Sequence, residues 1–131
     1  MSIERVLGKN STITVVGLSR DGTKYSHIVA KFMQRVGYRI IPVNPTADVI
    51  LGEKVYKSLL EIPENPGIVD VFRPSEEAFG IAKQAAEKGA NAVWLQEGII
   101  NEEAKKYAEA KGIEFVQDKC IMKEYLRIHG D

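Results

Sequence analysis

Two hydrophobic patterns alternate along this chain. Five short runs are rich in β-branched and aromatic residues and mostly apolar on both faces, which is typical of buried parallel strands; they are residues 12–17, 38–43, 68–73, 91–96 and 113–118. Between these runs, apolar residues recur at helical spacing, as at Ile28, Val29, Phe32, Met33 and Val36. The alternation predicts an α/β fold, a doubly wound Rossmann-like parallel sheet of about five strands with helices on both faces.

Residues at the helix boundaries support this prediction. Glycine follows three helical segments just before the next strand, at Gly37, Gly89 and Gly112. Glycine at that position adopts the left-handed conformation that ends a helix. Residues typical of N-caps stand before other segments, at Ser58, Ser75 and Asn101. Further helices are predicted near the N-terminus and over residues 121–129.

Length and composition exclude several classes of protein. The 131 residues predict one domain over residues 1–131, and 44% apolar with 27% charged residues is ordinary for a globular protein. Eighteen basic and eighteen acidic residues give no net charge, which argues against a nucleic-acid partner. Cys120 is the single cysteine, and no signal-peptide or membrane-spanning stretch is recognisable. We therefore expect a cytoplasmic protein in which any anion-binding site is local.

The ends of the predicted strands indicate where a ligand binds, because doubly wound sheets bind ligands outside the carboxyl ends of their strands. The first strand runs into Gly17-Leu18-Ser19, and a helix starts near Lys24 and Ser26. This arrangement predicts an anion-binding turn in which helix N–H groups face a phosphate and Lys24 adds a local charge. The alternative is a solvated loop in which Ser26 is the helix N-cap.

The ends of the other strands carry residues that could contact a nucleotide. Asn44-Pro45 makes a rigid exit from the second strand, against which a planar base could lie. Arg73 follows Phe72 and could either hold phosphate or pair with a glutamate at 76 or 77. The fourth strand ends in Gln96-Glu97-Gly98, where the glycine allows a close approach of backbone. Trp94, inside an apolar run, is interpreted as a core residue.

Other nucleotide and catalytic motifs are incomplete or absent. A receiver domain needs an acidic cluster at these strand ends, and a P-loop needs a GK[ST] tripeptide; the chain has neither. The NAD-binding fingerprint is incomplete at two positions. Ser19 stands in place of its second glycine, and Asn44 stands in place of the acidic residue that binds the ribose hydroxyls. His27 and His129 lack metal-ligand spacing, and Cys120 has no evident base beside it. We predict no catalytic and no metal-binding residue, and therefore no enzyme.

The same segments carry a family resemblance. The stretches "VVGLSRDGTKYSHIVAKFMQRVGYRIIPVNP", "GEKVYKSLLEIP", "VDVFRPSEEA", "AVWLQEGIINEEA" and "DKCIMKEYLR" resemble the small free-standing CoA-binding proteins. That family is similar to the CoA-binding domain of the succinyl-CoA synthetase alpha subunit. The resemblance implies a Rossmann-like domain that binds coenzyme A without catalysis. It implies a phosphate turn formed by Gly17, Leu18, Ser19 and Arg20, assisted by Lys24 and Ser26, and adenosine contacts from Val43, Asn44 and Pro45. It further implies nucleotide contacts from Phe72 and Arg73, with Gln96, Glu97 and Gly98 lining the far side of the binding groove.

The chain departs from the family pattern in the phosphate turn. The family often has proline and arginine where this chain has Asp21-Gly22-Thr23-Lys24, so we expect the backbone of the turn, more than Lys24, to bind the phosphate. Two alternatives stay open, an NAD(P)-type binding domain and a non-catalytic component of an acyl-CoA ligase that acts with a partner chain. A mixed disulfide between Cys120 and the CoA thiol is a third hypothesis, and a homodimer or an unidentified protein partner is left open.

Overall fold

A central sheet of five parallel strands organises the molecule, for which a computed structural model describes residues 2–130. The strands of the chain are β1 (Thr12–Val16), β2 (Arg39–Val43), β3 (Val49–Ile50), β4 (Glu53–Lys54), β5 (Ile68–Val71), β6 (Ala92–Leu95) and β7 (Glu114–Val116). The sheet order is β2-β1-β5-β6-β7, and β3 and β4 form a separate hairpin. The five strands predicted from the apolar runs are all confirmed, each shorter than predicted by one to three residues.

Helices cover both faces of the sheet, as predicted for a doubly wound fold. They are α1 (Ile3–Lys9), α2 (Tyr25–Arg35), α3 (Ala78–Glu87), α4 (Glu102–Ala110) and α5 (Ile121–His129). Helices α1, α2 and α5 pack on one face, around Ile13 and Trp94, and α3 and α4 pack on the other, around Val69 and Val93. In the described part of the chain, no helix is both long enough and apolar enough to span a bilayer.

The predicted helix starts are correct at some residues and wrong at others. Asn101 caps α4, since its side-chain oxygen accepts a hydrogen bond from the Ala104 amide at 2.9 Å. Ser75 does not cap α3; it begins a 3₁₀ turn (Ser75–Glu77), and its hydroxyl accepts from the Ile100 amide. Ser58 caps the 3₁₀ turn Leu59–Glu61. The side chain of Ser75 therefore joins two strand-end loops.

Two polar side chains lie within the core face that α1, α2 and α5 cover. Asp70, in the middle of β5, is 1% exposed, and Gln96, just after β6, is 2% exposed. Within residues 2–130, the Asp70 Oδ1 and Gln96 Nε2 atoms have no hydrogen-bond partner. Because burial penalises the charged carboxylate, the pKa of Asp70 lies well above its ordinary value. Asp70 is therefore a destabilising group in the centre of the sheet.

The β3–β4 hairpin was not predicted from the sequence. Tyr56, which follows it, pairs with the end of β2: its amide donates to the Pro42 carbonyl, and its carbonyl accepts from the Asn44 amide, each at 3.0 Å. This contact lays the segment that follows, Lys57 to Leu59, across the carboxyl end of β2. A turn of chain distant in sequence thereby becomes a wall of the site described next.

Candidate functional site

An open groove of about 570 Å³ lies at the carboxyl ends of β1, β2 and β5. The chain runs outward from β1 to β2 and then returns past β1 to β5, so the strand order reverses between β1 and β5. This reversal is the position at which doubly wound sheets bind their ligands. The lining consists of Val16, Gly17, Ser19, Val43, Asn44, Pro45, Thr46, Lys57, Ser58, Leu59, Arg73, Glu77, Ile81 and Gln84.

Gly17 sits where the ends of β1 and β5 come closest. Its φ is +89°, a left-handed conformation that side chains rarely adopt. A Cβ atom there would lie 2.7 Å from the Phe72 carbonyl oxygen and 2.9 Å from the Arg73 Cδ. Its amide donates to the Val43 carbonyl at 3.1 Å. Gly17 therefore ties three strand ends together, and only glycine fits.

Side chains within the β1–α2 loop hold that loop in one shape. The Ser19 amide donates to the Ser26 hydroxyl, and the Asp21 amide donates to the Ser19 hydroxyl, each at 3.0 Å. The Thr23 amide and hydroxyl both donate to Asp21, and these bonds hold the pKa of that carboxyl below its ordinary value. His27 Nδ1 lies 2.8 Å from the Ser19 carbonyl, to which it donates. The interpretation of Ser26 as N-cap is wrong, because it lies inside the first turn of α2.

The start of α2 suits an anion. Its N-cap is Lys24, whose side chain has no oxygen that could accept from the first-turn amides. The first turn also contains no acidic residue. No carboxylate in the first turn therefore balances the positive end of the helix dipole; the Asp21 carboxylate lies in the preceding loop, where Lys24 and His27 help to lower its pKa. Lys24 and Arg20 are exposed and lie beside the groove's lining rather than within it.

Asn44 links the loops that follow β1 and β2. Its Nδ2 donates to the Leu18 carbonyl at 2.9 Å, and its Oδ1 accepts from the amides of Thr46 and Ala47 at 2.8 and 2.9 Å. Leu18 itself is fully buried, so it contributes its carbonyl and core packing rather than a surface of the groove. A carboxylate at position 44 would lack the donor that Leu18 requires. The side-chain amide of Asn44 therefore fixes the shape of these two loops and places no negative charge at the end of β2.

Arg73 lines the groove and pairs with Glu77, which lies four residues later and also lines it. Its Nε and Nη2 donate to the Glu77 carboxylate at 3.0 and 2.9 Å. The pairing raises the pKa of Arg73 and lowers the pKa of Glu77. Both side chains are nearly half exposed, so solvent screens this ion pair. Of the two glutamates that the sequence left open as partners, Glu77 is the one used.

Several lining residues were not predicted from the sequence. Lys57 and Ser58 reach the groove through the β3–β4 hairpin, and no sequence signal marked that contact. Glu77 immediately precedes α3, and Ile81 and Gln84 lie on the face of α3 that continues from it. Their spacing of four and three residues predicts a shared helical face but does not reveal that this face meets the site.

The Gln96-Glu97-Gly98 turn lies outside this groove, at the end of β6. Gln96 Oε1 accepts from the Ile121 amide, and Glu97 pairs with Lys123 at the start of α5. Gly98 has φ +83°, and nothing lies within 4 Å of the place a Cβ atom would take, so this glycine serves the turn conformation and not a close approach. The predicted site residues thus form two groups: Gly17, Ser19, Val43, Asn44, Pro45 and Arg73 line the groove, whereas Leu18, Arg20, Lys24, Ser26, Phe72, Gln96, Glu97 and Gly98 lie beneath or beside it.

Cys120 and Tyr25 form a contact near the start of α5. The Tyr25 hydroxyl and the Cys120 sulfur are 2.9 Å apart, and the thiol is buried. Desolvation and this hydrogen bond raise the pKa of Tyr25. Phe72 packs edge-on against the Tyr25 ring, with centroids 6.4 Å apart. Phe72 therefore supports the start of α2 from the side of β5.

Comparison with known proteins agrees with this geometry. A family model described as a CoA binding domain matches residues 11–125, which is nearly the whole chain. The chain belongs to the CoA-binding domain family. Its match includes all three strand ends that form the groove and the hairpin that supplies Lys57.

The chain is also similar to individual proteins. An uncharacterised protein of Bacillus subtilis, YneT, is 45% identical over 91% of this chain and 88% of its own length. A structure of a hypothetical protein from Pyrococcus horikoshii superimposes with a TM-score of 0.91 at 36% identity, over 95% of this chain and 88% of that one. The ADP-forming acetate–CoA ligase II of Archaeoglobus fulgidus is 30% identical over 75% of this chain, which spans only 15% of the ligase.

Proposed function

We propose that this protein binds coenzyme A, or an acyl-CoA, in the groove at the ends of β1, β2 and β5, and that it has no catalytic activity of its own. The observation that carries the proposal is the set of groups at that groove: the Gly17 turn, two cations from separate elements, and an amide where a carboxylate would recognise unphosphorylated ribose. Coenzyme A carries a pyrophosphate and a ribose phosphate, and both favour positively charged groups; Glu77, which also lines the groove, gives up Arg73 when phosphate binds. Membership of the CoA-binding domain family supports the same ligand.

The proposed placement of the ligand follows from the walls of the groove. The pyrophosphate lies against Gly17 and Ser19, next to the uncapped start of α2, where the Ser19 hydroxyl still has a proton to donate. The adenine lies between the β2 end, at Val43 and Pro45, and Ile81 of α3. Arg20, Lys24, Leu18 and Ser26 act around the phosphate turn, the first two by charge and the others by holding its shape.

The pantetheine arm is proposed to leave the groove on the β5 side. Strand β5 lies between β1 and β6, so an arm that runs from the pyrophosphate across the end of β5 passes Phe72 and reaches the turn of Gln96, Glu97 and Gly98. That turn is built by contacts with the loop before α5 and with α5 itself, since the Gly98 amide donates to Asp118 at 2.8 Å. The two groups of predicted residues would then contact opposite ends of one extended ligand.

Titration calorimetry with coenzyme A, acetyl-CoA, NAD and NADP tests the proposal. We expect coenzyme A to bind, and NAD to bind at least about tenfold more weakly, because it lacks the ribose phosphate. Arg73→Ala should weaken binding of coenzyme A, whereas Arg127→Ala, which breaks an ion pair with Glu124 on α5, outside the groove's lining, should not. NAD that binds more tightly than coenzyme A would contradict the proposal.

A second candidate function is that of a non-catalytic component of an acyl-CoA ligase. The observation in its favour is that this chain aligns with a 15% portion of an acetate–CoA ligase. In that case a partner chain would supply the ligase chemistry. Affinity purification from the native host, followed by an assay for CoA-dependent, ADP-forming ligase activity in the eluate, tests it. An eluate without such activity would argue against the component role.

A further inference from the structure

Lys57 stands where Rossmann-like domains recognise the ribose of a nucleotide. In such domains a residue after the second strand performs this task, with an acid for the ribose hydroxyls or a nearby cation for a ribose phosphate. Asn44 occupies that position here, but its amide is committed to Leu18, Thr46 and Ala47. Lys57 is the cation that the fold brings to the same point, since its Nζ donates to the Ala47 carbonyl at 2.6 Å.

The surroundings of Lys57 position its charge without cancelling it. The Ala47 carbonyl is neutral, and the acidic neighbour, Asp48 at 3.3 Å, has a side chain that is 93% exposed to water. An ion pair so exposed contributes little and is readily exchanged. Arg73, by contrast, is held by two hydrogen bonds from its guanidinium to the Glu77 carboxylate. Of these two groove cations, Lys57 is therefore the less neutralised.

We propose that Lys57 binds the phosphate on the ligand's ribose, and that the groove thereby selects a nucleotide whose ribose is phosphorylated. The inference rests on the proposed function, because it specifies which part of coenzyme A this side chain recognises. The pyrophosphate, adenine and pantetheine are common to coenzyme A and 3′-dephospho-CoA. Discrimination between these two compounds therefore isolates the contact with the ribose phosphate.

Calorimetric titration of both compounds into wild type, Lys57→Ala and Lys54→Ala is the test. Lys54 lies on β4 of the same hairpin, with its Nζ 5.1 Å from the centre of the Tyr56 ring and outside the groove's lining, so it is a matched control. We expect wild type and Lys54→Ala to bind coenzyme A about tenfold more tightly than 3′-dephospho-CoA. Lys57→Ala should reduce this ratio to about one and change the affinity for 3′-dephospho-CoA by less than about twofold.

Each other outcome has a definite meaning. A Lys57→Ala protein that keeps the wild-type ratio overturns the inference. An equal loss of affinity for both compounds also overturns it, because Lys57 would then support the groove rather than recognise the phosphate; unchanged thermal melting separates that case from unfolding. Wild type that binds both compounds equally overturns the inference alone. Wild type that binds neither overturns the proposed function and the inference with it.

Discussion

Replacement of Gly17 by alanine tests the geometry on which the site depends. At this position two effects add: the left-handed backbone, with φ +89°, and the contact of a new Cβ with the Phe72 carbonyl oxygen at 2.7 Å. The carbonyl belongs to the backbone at the end of β5, so it cannot rotate away as a flexible side chain would. The β1 and β5 ends must therefore separate in the alanine variant.

The expected magnitude follows from these two effects. An L-residue with left-handed backbone costs about 1–2 kcal/mol. Overpacking of a close contact costs a further 1–3 kcal/mol or so. We therefore expect Gly17→Ala to lower the free energy of unfolding by about 2–5 kcal/mol, a large share of the roughly 5–15 kcal/mol typical of a domain. The same displacement of Phe72 and Arg73 should weaken binding of coenzyme A.

Gly112→Ala is the matched control. Gly112 has φ +76° and nothing within 4 Å of a Cβ position, and it lies between α4 and β7, away from the groove. It should lose only the backbone contribution of about 1–2 kcal/mol and keep its affinity for coenzyme A. Urea unfolding with unchanged m-values, followed by calorimetry, measures both quantities. If the two variants are destabilised equally, to within about 0.5 kcal/mol, the close-approach argument is refuted.

Three further predictions follow from the site and the core. Glu77→Gln should tighten coenzyme A binding about two- to fivefold in calorimetry, since it frees Arg73 and removes a negative charge; weaker binding would contradict this. Asn44→Asp should weaken that binding about tenfold or more and lower the free energy of unfolding by about 1–3 kcal/mol, because the Leu18 carbonyl loses its donor; unchanged values in calorimetry and urea unfolding would count against it. Asp70→Asn should stabilise the protein more at pH 7 than at pH 4. Burial raises the pKa of Asp70 in the folded state, so wild type loses stability as the pH rises above the pKa of this carboxyl in the unfolded chain, about 3.9. Urea unfolding at the two pH values checks this, and equal stabilisation at both would refute it.

The fold was predictable because its strands carry their own signal. Buried parallel strands are apolar on both faces, so each run of residues predicts a strand without knowledge of its neighbours. The strand ends at Gly17, Asn44 and Arg73 were predictable for a related reason, since parallel strands deliver their carboxyl ends to the same edge of the sheet. Local pattern combined with a topological rule was sufficient for six of the fourteen residues that line the groove.

Other lining residues depend on a contact between segments that are separated in sequence. Lys57 and Ser58 reach the site because Tyr56 pairs with the end of β2. That contact leaves no periodic or compositional trace in the residues that make it. Ser26 and Ser75 each resemble an N-cap in sequence. In the structure the Ser26 hydroxyl accepts from the Ser19 amide within the β1–α2 loop, and the Ser75 hydroxyl accepts from the distant Ile100 amide.

By itself, the amino-acid sequence determined the strands, the glycine-ended helices and the absence of an acid at the end of β2, because backbone propensity and burial act within a few residues. Only the tertiary structure decided that Asn44 is engaged by the β1 loop, that Glu77 and not Glu76 pairs with Arg73, and that Lys57 lies beside the loop that follows β2. Those arrangements depend on packing between elements, and packing depends on distances in space that sequence spacing does not encode.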